Sequence, residues 1–180
     1  MNKKVPFVDE VEIFNSTFGK PNNYEPTVPA DTKLTNFVVD FIKEETEELA
    51  EAIENGDIVE VLDAICDLLY VAVGNATMVF GVKDKLMDAY AEVQASNMSK
   101  SCTTLEEAEE TVKLRSEQQG EPCHWELLTP KFNGGEKRYV VYRTRDNKVM
   151  KSVNYFAPNL RQFFTEEEIK KAYEDRKGNS

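Results

Sequence analysis

A mainly α-helical body followed by a small C-terminal antiparallel β-sheet is the fold class predicted for these 180 residues. Three observations predict it. Apolar residues recur at spacings of three and four along 34–54 and again along 83–95. The stretch 58–80 is apolar almost all round. After about residue 120 the pattern changes to short strand-like runs separated by polar turns.

Taken in order, a short helix is expected from Val8 to Phe18. Gly19, Pro21, Asn22, Asn23, Pro26 and Pro29 then break regular structure. Asp31 or Thr32 caps the first long helix, whose stripe is Leu34, Phe37, Val38, Phe41, Ile42, Leu49 and Ile53. Asn55-Gly56-Asp57 ends it and caps the next. That second helix, 58–80, should be central, with Gly81 closing it. A third helix runs from Lys83 to Ala95. Thr104-Leu-Glu-Glu107 has the form of a capping box and opens a fourth, which ends near Gln119-Gly120. Gly120 to Trp125 reads as a linker. Trp125–Leu128, Arg138–Arg143 and Lys148–Asn154 read as strands, the last two joined by a turn containing Asp146-Asn147. Pro158–Phe164 suits a short helix, and Thr165–Ser180 a charge-rich, loosely held one. The chain thus divides into a helical domain, 1–120, and a β-hairpin and helix extension, 121–180.

Composition excludes several classes. Apolar residues are 41% and charged residues 31%, a globular balance. No apolar run reaches the roughly 20 residues of a membrane helix, and no apolar core follows Lys3 and Lys4 to make a leader. Acids outnumber bases 33 to 22, and a net charge of −11 repels nucleic-acid phosphate and anionic lipid. Cys66, Cys102 and Cys123 are odd in number and lack CxxC spacing, which argues against a disulfide scaffold or thiolate zinc site and suits the cytoplasm. Cys66, inside the apolar stretch, reads as a small hydrophobe. His124 is the one histidine and has no nucleophile motif around it.

The informative feature is where the acids fall. Extended by its own period, the stripe of the first long helix reaches positions 45 and 48, which hold Glu45 and Glu48, with Glu44 on the same side. Along Ile58–Val73 the only charges are Glu60, Asp63 and Asp67, which span about 60° of the helical wheel. Two adjacent antiparallel helices would bring the stripes face to face. Packed carboxylates repel and lose hydration. No Lys or Arg occurs between Lys43 and Lys83, so a cation from solution is the compensation expected. Oxygen donors alone select a hard ion, Mg²⁺ or Mn²⁺, and such sites share substrate phosphates. The competing reading makes Glu44, Glu45, Glu47 and Glu48 a solvated face and Glu60 a helix-dipole residue.

Glu44-Glu-Thr-Glu-Glu-Leu-Ala50, Asp63-Ala-Ile-Cys-Asp-Leu-Leu-Tyr-Val71 with Gly74, and Glu92-Val-Gln-Ala-Ser-Asn-Met-Ser-Lys100 together resemble the all-α nucleoside triphosphate pyrophosphatases, the MazG-like superfamily that includes phosphoribosyl-ATP pyrophosphohydrolases. Members carry an ExxE pair on one helix and an ExxD pair on the next. Glu45 and Glu48 match the first. Glu60 and Asp63 match the second literally, yet the usual E-L-x-D-L-L-Y wording aligns Asp67 with its acid and places Ala64 where a glutamate is usual. Asp67, Asp63 and Glu60, in that order, are the candidates for the second helix.

The resemblance implies a helical bundle that hydrolyses the α–β phosphoanhydride of a nucleotide to a monophosphate and pyrophosphate. Glu45, Glu48, Glu60, Asp63 and Asp67 are the implied Mg²⁺ or Mn²⁺ ligands, with Glu45, Glu48, Asp63 and Asp67 converging inward. Glu44 or Glu45 would orient the attacking water, and Asn97 and Lys100 would meet the substrate or its phosphates. Phe14, Phe18 and Phe37 are candidates for a base pocket. Relatives are homo-oligomers, which implies a homodimer or dimer of dimers. The alternatives are a phosphoribosyl-ATP pyrophosphohydrolase of histidine biosynthesis, and an acidic helical interaction protein without turnover.

Overall fold

The computed structural model describes residues 6–131 and 135–178. The absence of a leader was read partly from residues 1–5, which lie outside the described residues. The chain divides into two compact units. One joins the residues up to Ala89 with those from Arg161 onward, and the other spans Tyr90–Leu160.

The first unit is helical. It holds α1 (Pro6–Thr17), α2 (Thr32–Asn55), α3 (Ile58–Leu68) and α4 (Ala76–Phe80), then the start of α5 (Leu86–Met98) and, from the far end of the chain, α7 (Glu166–Lys177). Asp31 is the N-cap of α2, its carboxylate accepting from Lys33 N at 2.8 Å. Gly56 ends that helix at φ 68°, and Asp57 caps α3. The expected uniform helix over 58–80 is broken in kind: residues Leu69–Asn75 form a π-helix between α3 and α4. The wider turn coincides with close packing, because α1 lies against it and a Cβ on Gly74 would stand 2.3 Å from Val11 Cγ2. Val8, Val11, Met78 and Val79 are buried there. The expectation that this helix is central is corrected on its outer face. Ile58, Val59 and Leu62 are 76%, 69% and 61% exposed, because no element among the described residues covers them.

The proline-broken stretch before α2 is ordered by backbone pairing. Asn23 N donates to Met78 O, Thr27 N to Phe80 O, and Asn23 Nδ2 to Val79 O at 2.6 Å. The C-terminal helix is better held than its charge suggested. Thr165 and Glu168 form a complete capping box, Lys171 meets Glu25 at 2.9 Å, and Thr27 Oγ1 donates to Asp175 at 2.8 Å.

The second unit holds the rest of α5, α6 (Leu105–Gln119) and a sheet of β1 (Cys123–Leu128), β2 (Arg138–Arg143) and β3 (Lys148–Val149), antiparallel in the order β1-β2-β3. The register pairs Cys123 with Arg143 and Leu128 with Arg138. Cys123 and His124, read as linker, begin β1. The third strand stops at Val149 rather than Asn154, because beyond it Ser152 N turns to Lys100 O and Val153 N to Thr111 Oγ1. Thr104 caps α6, but the Glu107 carboxylate reaches back to Thr103 N, one residue earlier than a capping box requires. Cys102, Ala108, Cys123, Val141 and Met150 form the core. Cys66 is exposed, not the buried hydrophobe expected of its stretch.

Candidate active site

The carboxylates sit where α2 and α3 pack against each other. Glu44, Glu45 and Glu48 come from α2, and Asp63 and Asp67 from α3. Glu45 and Asp67 are partly buried, whereas Glu44, Glu48, Asp63 and Glu60 are exposed. The site is therefore a half-buried pair with a rim of exposed acids, less inward than the full convergence expected.

Glu45 is the centre of the group. Burial raises its pKa above the ordinary glutamate value, and Asp67, Glu48, Glu44 and Asp63, in that order, push it further. Its Oε2 is buried and has no hydrogen-bond partner. An unpartnered buried carboxylate oxygen costs about 1–3 kcal/mol, and none of the four neighbours that raise its pKa can donate to it when ionised. Glu60 is not among the charges that weigh most on Glu45. It lies in the first turn of α3, where the helix dipole suits a carboxylate.

Among the described residues, no three of these side chains form a finished metal cage. The chemistry of the donor set still fits a hard divalent ion, since every donor is a carboxylate and one oxygen lacks any partner. Glu45, Asp67, Glu48 and Asp63 are the residues that would hold it, although as placed no three of them could do so together.

Beside the acids lies a cavity of about 520 Å³. Phe14, Asn15, Phe37, Phe41 and Tyr70 line it, with Lys20 among its other lining residues. Phe41 precedes Glu45 by one turn of α2, and Tyr70 follows Asp67 on the adjoining π-helix. The rings form two edge-to-face pairs, Phe37 with Phe41 at 4.2 Å and Phe14 with Tyr70 at 5.6 Å. Lys20 Nζ stands 5.8 Å from the Phe37 ring centre. Of the three aromatics expected at a base pocket, Phe14 and Phe37 line the cavity, and Phe18 packs on Phe14 at 4.5 Å. Tyr70 and Asn15 were missed. Tyr70 was signalled by its spacing of three from Asp67; Asn15 falls in α1, where nothing in the pattern marks it.

Asn97 and Lys100 lie in the second unit, at and just beyond the end of α5. Lys100 Nζ donates to Asn97 Oδ1 at 2.8 Å, so the two are partners of each other.

Comparison with known proteins bears on the first unit and the start of the second. Residues 11–97 match the family model of phosphoribosyl-ATP pyrophosphohydrolase, a range that holds both carboxylate stripes, the aromatic cavity and Asn97. A protein of Acanthamoeba polyphaga mimivirus, described as uncharacterized, is 25% identical over 88% of this chain and 96% of its own length. Among the described residues, no single helix is long and apolar enough to cross a membrane. Residues 11–97 thus carry a phosphoribosyl-ATP pyrophosphohydrolase-type domain, part of the MazG-like all-α nucleoside triphosphate pyrophosphatase superfamily.

Proposed function

We propose that the helical unit is a divalent-dependent nucleotide pyrophosphohydrolase that cleaves the α–β phosphoanhydride of a nucleoside triphosphate. The observation that carries this reading is the unpartnered, buried Glu45 Oε2 among four further carboxylates, one turn from an aromatic cavity. Glu45, Glu48, Asp63 and Asp67 would hold Mg²⁺ or Mn²⁺, which when bound offsets charge on the phosphate oxygens. Glu44 or Glu45 orients the attacking water and takes its proton. Water adds to the α-phosphorus, the bridging P–O bond breaks, and its electron pair leaves with pyrophosphate. The aromatic cavity takes the base.

A second copy of the chain is the proposed cover for the exposed apolar face of α3, as a homodimer or dimer of dimers. Three unpaired thiols accord with the cytoplasm as its proposed setting. The matching family model names phosphoribosyl-ATP, and this keeps it as a second candidate substrate.

The test is pyrophosphate release from nucleoside triphosphates and phosphoribosyl-ATP with Mg²⁺ or Mn²⁺, beside Glu48→Ala and Asp67→Ala. Metal-dependent release lost in both variants is expected. No release from any of these by the folded protein overturns the reading.

A further inference from the structure

Resting on the nucleotide reading above, we propose that Asn15 is the residue of the aromatic cavity that recognises the base, its Oδ1 accepting a hydrogen bond from an N–H on the base's pairing edge. Asn15 is only 3% exposed, and it lines the cavity together with Phe14, Phe37, Phe41 and Tyr70, with Lys20, Asp31, Lys33 and Asn75 also in the lining. A buried amide in such a wall needs partners at both ends.

Its nitrogen end is fixed. Asn15 Nδ2 donates to Asn22 Oδ1 at 3.0 Å and to Pro21 O at 3.4 Å. Both partners can only accept. Asn22 cannot reverse to relieve this, because its own Nδ2 donates to Glu12 O at 3.2 Å and to Ser16 Oγ at 3.0 Å. Donation therefore runs one way, from Asn15 through Asn22 to the Glu12 carbonyl of α1. At its head stands Asn15 Oδ1, to which no hydrogen bond is donated among the described residues. The amide is held as an acceptor, not as a group that could show either face.

An acceptor fixed in an aromatic slot of about 520 Å³ suits a flat heterocycle that stacks and carries an N–H. Every common nucleobase has such a donor on its pairing edge, so Asn15 alone does not choose among them. It rejects bases whose edge is blocked. A site built to pair a ligand donor discriminates strongly against the analogue that lacks it, since its own acceptor is then left unpaired.

The experiment measures calorimetric binding of the four common deoxynucleoside monophosphates, and of the same compounds with every N–H of the pairing edge replaced by N–methyl, to the full chain without divalent ions. Methylation is expected to weaken the tightest ligand by about tenfold or more in the native protein. In Asn15→Ala that gap should close, because the lost contact is shared between residue and ligand. The methylated series on the native protein keeps the test sound should Asn15→Ala fold poorly. Equal affinity for both series, a gap that persists in Asn15→Ala, or no binding of any monophosphate overturns the proposal. Pyrophosphate release is scored separately, so loss of the reaction and loss of base reading are told apart.

Discussion

Replacing Glu45 by Gln tests whether the carboxylate cluster is a site awaiting a cation or merely an acidic surface. Without metal, Glu45 is a half-buried anion whose Oε2 is unpartnered, facing Asp67, Glu48, Glu44 and Asp63. Glutamine removes the charge at nearly constant shape. The gain is set at about 1 kcal/mol, the low end for an unpaired buried acceptor, because the exposed rim screens the repulsion. For a chain of this size that is about 2–4 °C in Tm. The pH dependence has a definite sign. Folding raises the pKa of Glu45, so the folded state binds its proton more readily than the unfolded chain. The penalty is therefore fully present above the folded value. It is relieved as pH falls through that value toward the ordinary range, and Glu45→Gln should flatten this part of the profile. Mg²⁺ at a hundredfold its Kd should add about 2.7 kcal/mol to the native protein, or roughly 5–10 °C, and little to the variant. Thermal melts with EDTA and with Mg²⁺, from neutral pH to about pH 5, read all of this. A variant less stable than native in EDTA, or one that keeps the full Mg²⁺ response, refutes the reasoning.

The other predictions use the same structure. Asp67→Asn should lower kcat by at least about a hundredfold, whereas Glu60→Gln, absent from the charges that weigh most on Glu45, should stay within about twofold; steady-state pyrophosphate release compares them. Gly74→Ala should cost about 1–3 kcal/mol, because its Cβ would stand 2.3 Å from Val11 Cγ2. Adding Val11→Ala should recover part of that loss in denaturant melts, and strict additivity of the two would count against the packing account. Leu62→Glu, on the exposed face of α3, should shift the protein to a smaller species in sedimentation if a second copy covers that face.

Much of the helical unit was legible because its signals are local. Asp31, Gly56, Asp57 and Gly81 act within a turn of their own helix ends, and the acid stripes follow from helical period alone. What escaped depends on residues distant in sequence. The π-helix arises where Val11 meets Gly74, sixty-odd residues away, and no spacing within 58–80 announces it. Strand β3 ends early because Lys100 and Thr111 compete for the backbone after it. Cys66 looked buried because its neighbours are apolar, but apolar neighbours are no guide on a helix whose outer face is uncovered. In the candidate site, charge and period marked Glu45 and Asp67. Asn15 stayed hidden because its role rests on Asn22 locking it, a contact across the break at Gly19.

The departure at position 64 fits this arrangement once burial is considered. The resemblance implies a glutamate where this chain has Ala64, and Ala64 is 3% exposed on α3. A carboxylate there would add a further charge to a group already short of donors, since Glu45 has an oxygen without a partner. With alanine, the position is buried. Glu45 and Asp67 are partly buried, and Glu48 and Asp63 are exposed. On the proposed reading, a divalent ion held by so open a set keeps several coordination positions for water and phosphate oxygens, the arrangement Mg²⁺ favours. The protein's grip on the metal and its grip on the nucleotide then become linked, each strengthening the other by the same factor. On that reading, alanine in place of a glutamate would weaken metal binding in the free protein more than in the nucleotide complex, where phosphate oxygens would supply the ligands that the chain does not.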